Sequence, residues 1–447
     1  HGKILIVLVM LVLIGSMFPT IPDVLGDDSN THLESGRQTQ PTIKEQWWVK
    51  SEGTPTSNQI HDAVTDVEGN TYITGSFEGA LNFGDNNLTS FGKTSLFVAK
   101  VDNASVWSWA IQTFNVDAKG LGIDYDVASQ SVFVVGYFNG RSGTFSDSSL
   151  TSLPPYDSEG DSDNFLMVEI QSSGAVKSVW HPEPTDNSVG RFEDVHVNSA
   201  GVYATGLLIG NMSASSGVGP QYAVNNGVGD MVVTRFNKQV LTLDWVVDSC
   251  ATQCTSATEW GHHLTSDNSG NIYALGIYQY AAMVVNIAGT SDIVLTNSGV
   301  SAFYDLVVWK ISSAGASKSA IRIATDGFDM PRGIESVGES VIVAGSFPGS
   351  SGDSNVTQGT STFRSSLIIS LDIQLMDTNL YANDFPSRWV TGIVQSENNA
   401  PIIRSINSNT EGTIQVSGLI DAPASVGSIN IDHSIGESLL VAEMEVS

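Results

Sequence analysis

The side chains best suited to chemistry in this sequence are charged or imidazole groups that recur at similar places in a repeated pattern of short strands. They are His61, Asp62, Glu193, Asp194, His262, His263, Arg332 and Arg404. Carboxylates, imidazoles and guanidiniums around a concave surface orient small polar ligands or glycans. The competing interpretation is that these groups are solvated, or hydrogen-bond with one another and support the fold. We therefore treat them as candidate ligand-binding residues and assign none of them as catalytic.

A second candidate site is an acidic segment in which carboxylates alternate with small polar residues. Its carboxylates are Asp157, Glu159, Asp161 and Asp163. This spacing allows hard oxygen ligands to wrap around a calcium ion. The segment lacks the complete calcium-loop signature, and a flexible acidic loop is the competing interpretation. Calcium is the only cofactor that the sequence suggests.

The two cysteines, Cys250 and Cys254, lie in one polar loop. In an exported protein they are expected to form a small local disulfide, because thiols oxidise outside the cytosol. The alternative is a metal site with the nearby His262 and His263, although this spacing matches no closed zinc pattern well.

Motifs of known catalytic machinery are absent from the sequence. It contains no Gly-x-Ser-x-Gly elbow, phosphate-binding loop, dinucleotide fingerprint or His-Glu-x-x-His segment. The positive argument for an enzyme is therefore missing, and a binding role is favoured. The alternative is a polysaccharide hydrolase or lyase that uses a carboxylate such as Glu193 or Asp194.

The composition excludes one class of partner. The 447 residues carry 47 acidic against 19 basic side chains, a formal net charge of -28. Nucleic-acid binding needs a basic surface, so that class is disfavoured. Hydrophobic residues make up 41% of the chain and 43 glycines punctuate it, a composition that suits short strands joined by turns.

The N-terminal segment has the layout of an export signal. Lys3 precedes a short apolar run, and glycine and proline residues follow it. We predict a signal peptide over residues 1–26, with a retained N-terminal anchor as the alternative, and a flexible linker over residues 27–45. The mature protein is then extracellular or on the cell surface, with no membrane span unless the N-terminal segment is retained.

A turn followed by a β-rich run that ends in glycine organises the chain. It covers residues 66–77, and its Gly75 recurs as Gly136, Gly206, Gly276, Gly345 and Gly418. We expect these glycines where packing between neighbouring units excludes a side chain. The runs rich in β-branched and aromatic residues predict second strands over residues 71–77, 131–138, 202–208, 272–278, 340–347 and 413–420.

Each repeat predicts four strands, and the fourth often carries a tryptophan. The sixth repeat has no fourth strand before the chain ends, whereas residues 46–50 form an extra strand around Trp47 ahead of the first repeat. Pairing of these two ends would remove an exposed sheet edge. We therefore predict an all-β fold, a six-bladed β-propeller over residues 46–447, closed by the strand around residues 47–49.

The first repeat also carries sequence motifs of a known family. They are Asp-x-x-Gly-Asn-x-Tyr-x-x-Gly from Asp66, Asn82-Phe83-Gly84, Leu88-Thr89-Ser90, Phe97-Val98-Ala99-Lys100-Val101-Asp102 and Trp107-Ser108-Trp109-Ala110. They resemble the SBBP-type β-propeller repeat. The resemblance implies a secreted or surface-attached prokaryotic protein and no specific activity. That family is named for seven blades, whereas six repeats are counted here.

The loops that differ most between repeats follow the second strands, and in a propeller they open on one face. Binding residues usually lie in variable loops on a rigid scaffold. We expect the candidate ligand-binding residues to line the channel mouth on that face. The predicted function is a binding or adhesion module for a glycan, a surface protein or an envelope component. A structural role in a surface layer is a further alternative.

Overall fold

The computed structural model describes residues 52–139, 143–145, 163–182, 188–214, 219–220, 222–224, 228–249, 258–279, 282–285, 293–296, 304–323, 329–347, 356–358, 361–363, 365–372, 387–395, 402–408, 413–420, 424–426, 429–431 and 438–445. These residues form antiparallel sheets and contain no helix, so the all-β prediction is confirmed. Nor do they include a helix long and apolar enough to cross a membrane. The predicted signal peptide, the linker and the closing strand around Trp47 lie outside the described residues.

The strands follow one another with short connections. The first half of the chain contains β1 Glu52–Thr65, β2 Thr71–Phe83, β3 Asn86–Thr89, β4 Ser95–Val101, β5 Trp107–Phe114, β6 Asp117–Asp126, β7 Ser131–Asn139, β8 Thr144–Phe145, β9 Asn164–Gln171, β10 Val176–Trp180, β11 Val189–Val197, β12 Val202–Ile209, β13 Asn211–Ser213, β14 Tyr222–Val224, β15 Asp230–Phe236 and β16 Leu243–Asp248. The second half contains β17 Glu259–Ser266, β18 Ile272–Gln279, β19 Ala282–Val285, β20 Ile293–Thr296, β21 Tyr304–Ile311, β22 Ser317–Ile323, β23 Met330–Val337, β24 Ser340–Phe347, β25 Val356–Gln358, β26 Ser361–Phe363, β27 Ser365–Asp372, β28 Ser387–Gln395, β29 Ile402–Ser408, β30 Thr413–Ile420, β31 Ala424–Val426, β32 Ile429–Ile431 and β33 Ser438–Glu445.

The longer strands form six sheets in which successive strands are neighbours. We number them in chain order: sheet 1 (β1-β2-β4-β5), sheet 2 (β6-β7-β9-β10), sheet 3 (β11-β12-β15-β16), sheet 4 (β17-β18-β21-β22), sheet 5 (β23-β24-β27-β28) and sheet 6 (β29-β30-β33). Sheet 6 has a first, a second and a third strand within the described residues. The predicted second strands all lie within observed strands.

Short additional strands occur in the connections between second and third strands. β3 extends β2 as a hairpin, and the pairs β13-β14, β19-β20, β25-β26 and β31-β32 form hairpins of their own. β8, from the connection in sheet 2, pairs with β5 of sheet 1, and β31 pairs with β28 in the same way. These connections were predicted from the sequence to be variable loops. β8 and β31 pair with outer strands that would otherwise be open sheet edges.

Third strands form the core between the sheets. In β4, the residues Leu96, Phe97, Val98 and Ala99 are all at most 1% exposed. Such an unbroken apolar run is expected where both faces of a strand are covered. Side chains of sheets 1 and 2 share one buried cluster, and Trp245 of sheet 3 lies in another with Trp309 of sheet 4.

The six first strands lie side by side in chain order, and a side-chain hydrogen bond joins each strand to the next. Asp62 Oδ2 accepts from Ile123 N at 2.9 Å, Asp124 Oδ2 from Val197 N at 2.7 Å, Asp194 Oδ2 from Leu264 N at 2.8 Å and Thr265 Oγ1 from Ser336 N at 3.2 Å, and Ser408 Oγ donates to Glu335 Oε2 at 3.1 Å. Each bond links one sheet to the next. The first strands therefore form a continuous inner row, which positions the candidate site.

The acidic turn of the recurring motif has a structural role. Asp66 Oδ1 accepts from Asn70 N at 2.8 Å, and Asp66 Oδ2 accepts from Tyr72 Oη at 3.1 Å. Asp267 makes the equivalent bonds to Asn271 and Tyr273. The Asp, Asn and Tyr of the motif thus close the turn between first and second strands, which explains their spacing without a ligand.

Candidate functional site

Every first strand carries a β-bulge at the same place. The register shifts between Ile60 and Asp62, Gly120 and Gly122, Phe192 and Asp194, Gly261 and His263, Pro331 and Gly333, and Ile403 and Ser405. The extra residues, which we call the bulge residues, are His61, Leu121, Glu193, His262, Arg332 and Arg404. A bulge leaves its residue outside the ladder and re-aims the side chain. All bulge residues except Leu121 were candidates from sequence.

The recurring glycines lie opposite these bulges. Gly75 pairs with Ile60, the residue just before the bulge, and the other recurring glycines pair with the equivalent residues. A Cβ on Gly75 would lie 2.0 Å from the carbonyl oxygen of Gln59 in the same sheet, and one on Gly136 would lie 1.9 Å from that of Lys119. The expectation that neighbouring units exclude the side chain is therefore wrong at Gly75 and Gly136, whereas at Gly276 a Cβ would also lie 2.7 Å from Met231 Sδ of the neighbouring sheet 3. The glycine accommodates the bulge that aims the candidate side chain.

Three other candidates, Asp62, Asp194 and His263, immediately follow a bulge residue. Asp62 Oδ1 accepts from Ala63 N at 2.8 Å, and Asp194 Oδ1 accepts from Val195 N at 2.8 Å. Their second oxygens hold the next first strand, as described above. Asp62 and Asp194 thus have a structural use in joining the sheets. His263 is half-buried, with its ring 6.3 Å from that of His262.

The densest part of the site surrounds Arg191, at the seam of sheets 2, 3 and 4. Arg191 Nε lies 2.7 Å from Glu193 Oε1, and Nη1 lies 3.4 Å from Asp163 Oδ2. Its guanidinium is 4.3 Å from the ring centroid of Trp260 and 5.7 Å from that of Tyr137. His262 packs next to Trp260, and the centroids of the two rings are 5.0 Å apart. An arginine, two carboxylates, two aromatic rings and an imidazole therefore meet here.

Arg191 and Trp260 were not among the residues predicted from the sequence. Each lies two residues before a bulge residue, Glu193 or His262, on the same strand. Alternate residues of a strand share a face, so this spacing was the available signal. Tyr137, on the second strand of sheet 2, was not identifiable without the pairing of the strands.

Burial is the largest cause of the pKa shifts in the site. It raises the pKa of Glu193, and the charge and hydrogen bond of Arg191 oppose the rise. It also raises the pKa of Asp163, which Arg191 and Lys119 oppose. Burial, together with the charges of His263, Arg191 and Arg332, lowers the pKa of His262 to about 3. Burial and the charge of Lys119 lower the pKa of His61 to about 4. Both imidazoles are therefore neutral at pH 7.

Two arginines occupy the last two bulges, on sheets 5 and 6. Arg332 is half-buried, and its Nε donates to Ser346 Oγ at 3.2 Å, whereas Arg404 is exposed. Burial and then the charge of Arg404 lower the pKa of Arg332. Within the described part of the chain, no carboxylate pairs with either guanidinium.

A buried acid near this site was not anticipated from sequence. Glu259 begins β17 and is fully buried, and neither carboxylate oxygen has a hydrogen-bond partner among the described residues. Burial, with the charges of Asp230 and Asp248, raises the pKa of Glu259 to about 9. Glu259 is therefore a neutral acid at pH 7.

The other two candidate sites lie largely outside the described residues. Of the acidic segment, Asp157, Glu159 and Asp161 are not described, and Asp163 is the partner of Arg191. Cys250 and Cys254 are not described either. Among the described residues, no three His, Cys, Asp or Glu side chains are grouped so that they could hold a metal ion. The calcium and disulfide predictions stay predictions.

No protein-family model and no curated protein matches this chain. Solved structures share limited similarity with it. A quinohemoprotein alcohol dehydrogenase from Pseudomonas putida HK5 aligns at 10% identity over 80% of this chain, with a TM-score of 0.36, and this chain spans 55% of that one. Two apocarotenoid oxygenase variants from Synechocystis align at 11% identity over 88% and 92% of this chain and 97% of theirs, with TM-scores of 0.30. The function is therefore inferred from the site itself.

Proposed function

We propose that this protein is an extracellular or cell-surface β-propeller that binds a glycan, a surface protein or an envelope component through its bulge residues. The proposed fold is the six-bladed propeller of the SBBP type, in which residues 46–50 complete sheet 6. Support for closure comes from the five four-stranded sheets, beside which sheet 6 has only its first three strands described.

One observation carries the binding role. The bulge recurs in all six sheets at the same place in the strand register, yet its side chain differs: His, Leu, Glu, His, Arg and Arg. A bulge needed only for the fold would not call for charged or imidazole side chains at most of its copies. A repeated scaffold that presents different polar groups at one level is suited to contact different parts of a ligand.

The test is binding of the full-length protein to a panel of glycans, followed by titration calorimetry on each glycan that it captures. We expect His262→Ala and Glu193→Gln each to weaken binding by about tenfold or more, because each removes a polar contact in a desolvated site. The melting temperature should change little. Leu121→Ala is the matched control, because it alters an equivalent bulge without removing a polar group.

Two results would contradict this assignment. If His262→Ala abolishes binding only together with unfolding, the residue supports the fold and does not contact the ligand. If the protein captures a ligand and no substitution of a bulge residue changes the affinity, binding occurs elsewhere. Absence of any ligand favours the structural surface-layer role.

A polysaccharide hydrolase or lyase is the second candidate, favoured by one specific arrangement. Glu193 and Asp163 flank Arg191, and burial raises the pKa of both carboxyls, as required of a general acid. Asp194, the other acid considered from sequence, already accepts backbone hydrogen bonds at both oxygens. Turnover of a polysaccharide that is lost in Glu193→Gln and kept in Asp194→Asn would establish this reading over simple binding.

A further inference from the structure

We propose that Arg332, Arg404 and His262 form an oxyanion-binding subsite, so that the ligand is an acidic glycan bearing carboxylate or sulfate groups. This inference rests on the proposed binding function and specifies its ligand class. The three residues are the bulge residues of sheets 4, 5 and 6.

The strands that carry these residues are directly adjacent. Thr265 Oγ1 of β17 accepts from Ser336 N of β23, and Ser408 Oγ of β29 donates to Glu335 Oε2 of β23. These bonds keep the three bulges at one level. His262, Arg332 and Arg404 therefore occupy consecutive places along the inner row.

The charge arrangement at this end of the row differs from that around Arg191. Arg191 lies against two carboxylates, Glu193 and Asp163. Arg332 and Arg404 lie close enough for one charge to affect the other, and neither pairs with a carboxylate in the described part of the chain. In a chain of net charge -28, two neighbouring guanidiniums without an acidic partner are unusual. An anionic group between them would relieve their repulsion.

His262 adds a neutral donor to the same place. Its Nε2 is buried and has no hydrogen-bond partner among the described residues. An unpaired polar atom in a buried position is costly unless a ligand satisfies it. With its proton on Nε2, the imidazole donates a hydrogen bond to an oxyanion without adding charge.

The ligand class follows from the donors. A guanidinium presents its N–H groups in a planar fork that matches two oxygens of a carboxylate, sulfate or phosphate. A saccharide with such groups combines this recognition with the hydroxyl contacts expected at the mixed site around Arg191.

The test compares four probes by titration calorimetry on the full-length protein at fixed ionic strength: oligogalacturonate, a sulfated oligosaccharide, a neutral dextran oligomer and inorganic sulfate. We expect at least one acidic oligosaccharide to bind more tightly than dextran. The double variant Arg332→Gln/Arg404→Gln should lose about 10- to 100-fold in affinity for it, because two charge-assisted contacts are removed.

The matched control is Lys93→Gln/Lys318→Gln, which removes the same charge from two exposed lysines outside the inner row. It should keep the affinity within about twofold, since distant surface charges are screened by salt. The carboxylated and sulfated probes distinguish the two sources of the oxyanion.

The outcomes separate this inference from the proposed function. If a neutral glycan binds, and Glu193→Gln weakens it while the double arginine variant does not, the binding function holds and the oxyanion subsite is wrong. Equal losses in the arginine and lysine double variants also overturn the subsite. If inorganic sulfate binds in an arginine-dependent manner and no glycan binds, the subsite holds and the glycan function fails.

Discussion

Replacing Glu259 by glutamine should stabilise the protein, and the gain should grow with pH. Glu259 is fully buried, its carboxylate oxygens lack partners among the described residues, and its pKa is raised from 4.5 to about 9, first by burial and then by Asp230 and Asp248. Between these two values the unfolded chain releases a proton that the folded protein keeps. Stability therefore falls as pH rises through this interval.

The magnitude follows from the size of the interval. One pH unit within it changes the free energy of unfolding by about 1.4 kcal/mol. Between pH 5.5 and 8.5 the wild-type protein should thus lose up to about 4 kcal/mol through Glu259 alone. Glutamine has the shape of the protonated acid and does not titrate, so Glu259→Gln should escape this loss.

The assay is urea denaturation of the wild type and the variant at several pH values in this range, with a chelator present. Titrations elsewhere are common to both proteins and cancel in the difference between their free energies of unfolding. Glu68→Gln, at an exposed turn position, controls for removal of one carboxylate. A difference between Glu259→Gln and wild type that is the same at pH 5.5 and 8.5 would refute the reasoning, because Glu259 would then ionise in the folded protein as it does in the unfolded chain.

Two further predictions concern the inner row. Asp194→Ala should lower the free energy of unfolding by about 2–4 kcal/mol, because two backbone N–H groups lose their acceptor. Asp194→Asn keeps one acceptor and should lower it less. Equal urea midpoints for both variants and the wild type would show that Asp194 does not stabilise the contact between sheets 3 and 4. Because the pKa of His262 is lowered in the folded protein, the unfolded chain takes up a proton first as pH falls below 6.5, and stability should drop toward pH 4. The melting temperature of His262→Gln should fall less over this range than that of the wild type. Parallel curves of melting temperature against pH for the two proteins would contradict this prediction.

Much of the fold was readable from sequence because its determinants are local. The Asp66, Asn70 and Tyr72 motif closes a turn through contacts within a few residues, so its repetition marks each unit. Runs of β-branched and aromatic residues predicted the second strands for the same reason. The short strand β8 was missed, because it is stabilised by pairing with β5 of another sheet.

The candidate site was predictable only in part. Alignment of the repeats located every bulge residue except Leu121 as a candidate, and the structure shows that Gly75 and its counterparts pair with the residue just before each bulge. The sequence could not distinguish Glu193 beside Arg191 from Asp194, whose oxygens accept backbone hydrogen bonds. The two acids are neighbours in the chain, and only the direction of each side chain separates their roles.

The sequence alone determined the all-β class, the six repeated units and the level at which polar side chains recur, because turns and strands depend on near neighbours. The tertiary structure decided which of those side chains join sheets, which form the cluster around Arg191, and which arginines lack a carboxylate partner among the described residues. Those properties depend on contacts between residues far apart in sequence: Asp194 and Leu264 are 70 positions apart. Burial and charge at such contacts arise only when the sheets are packed against one another.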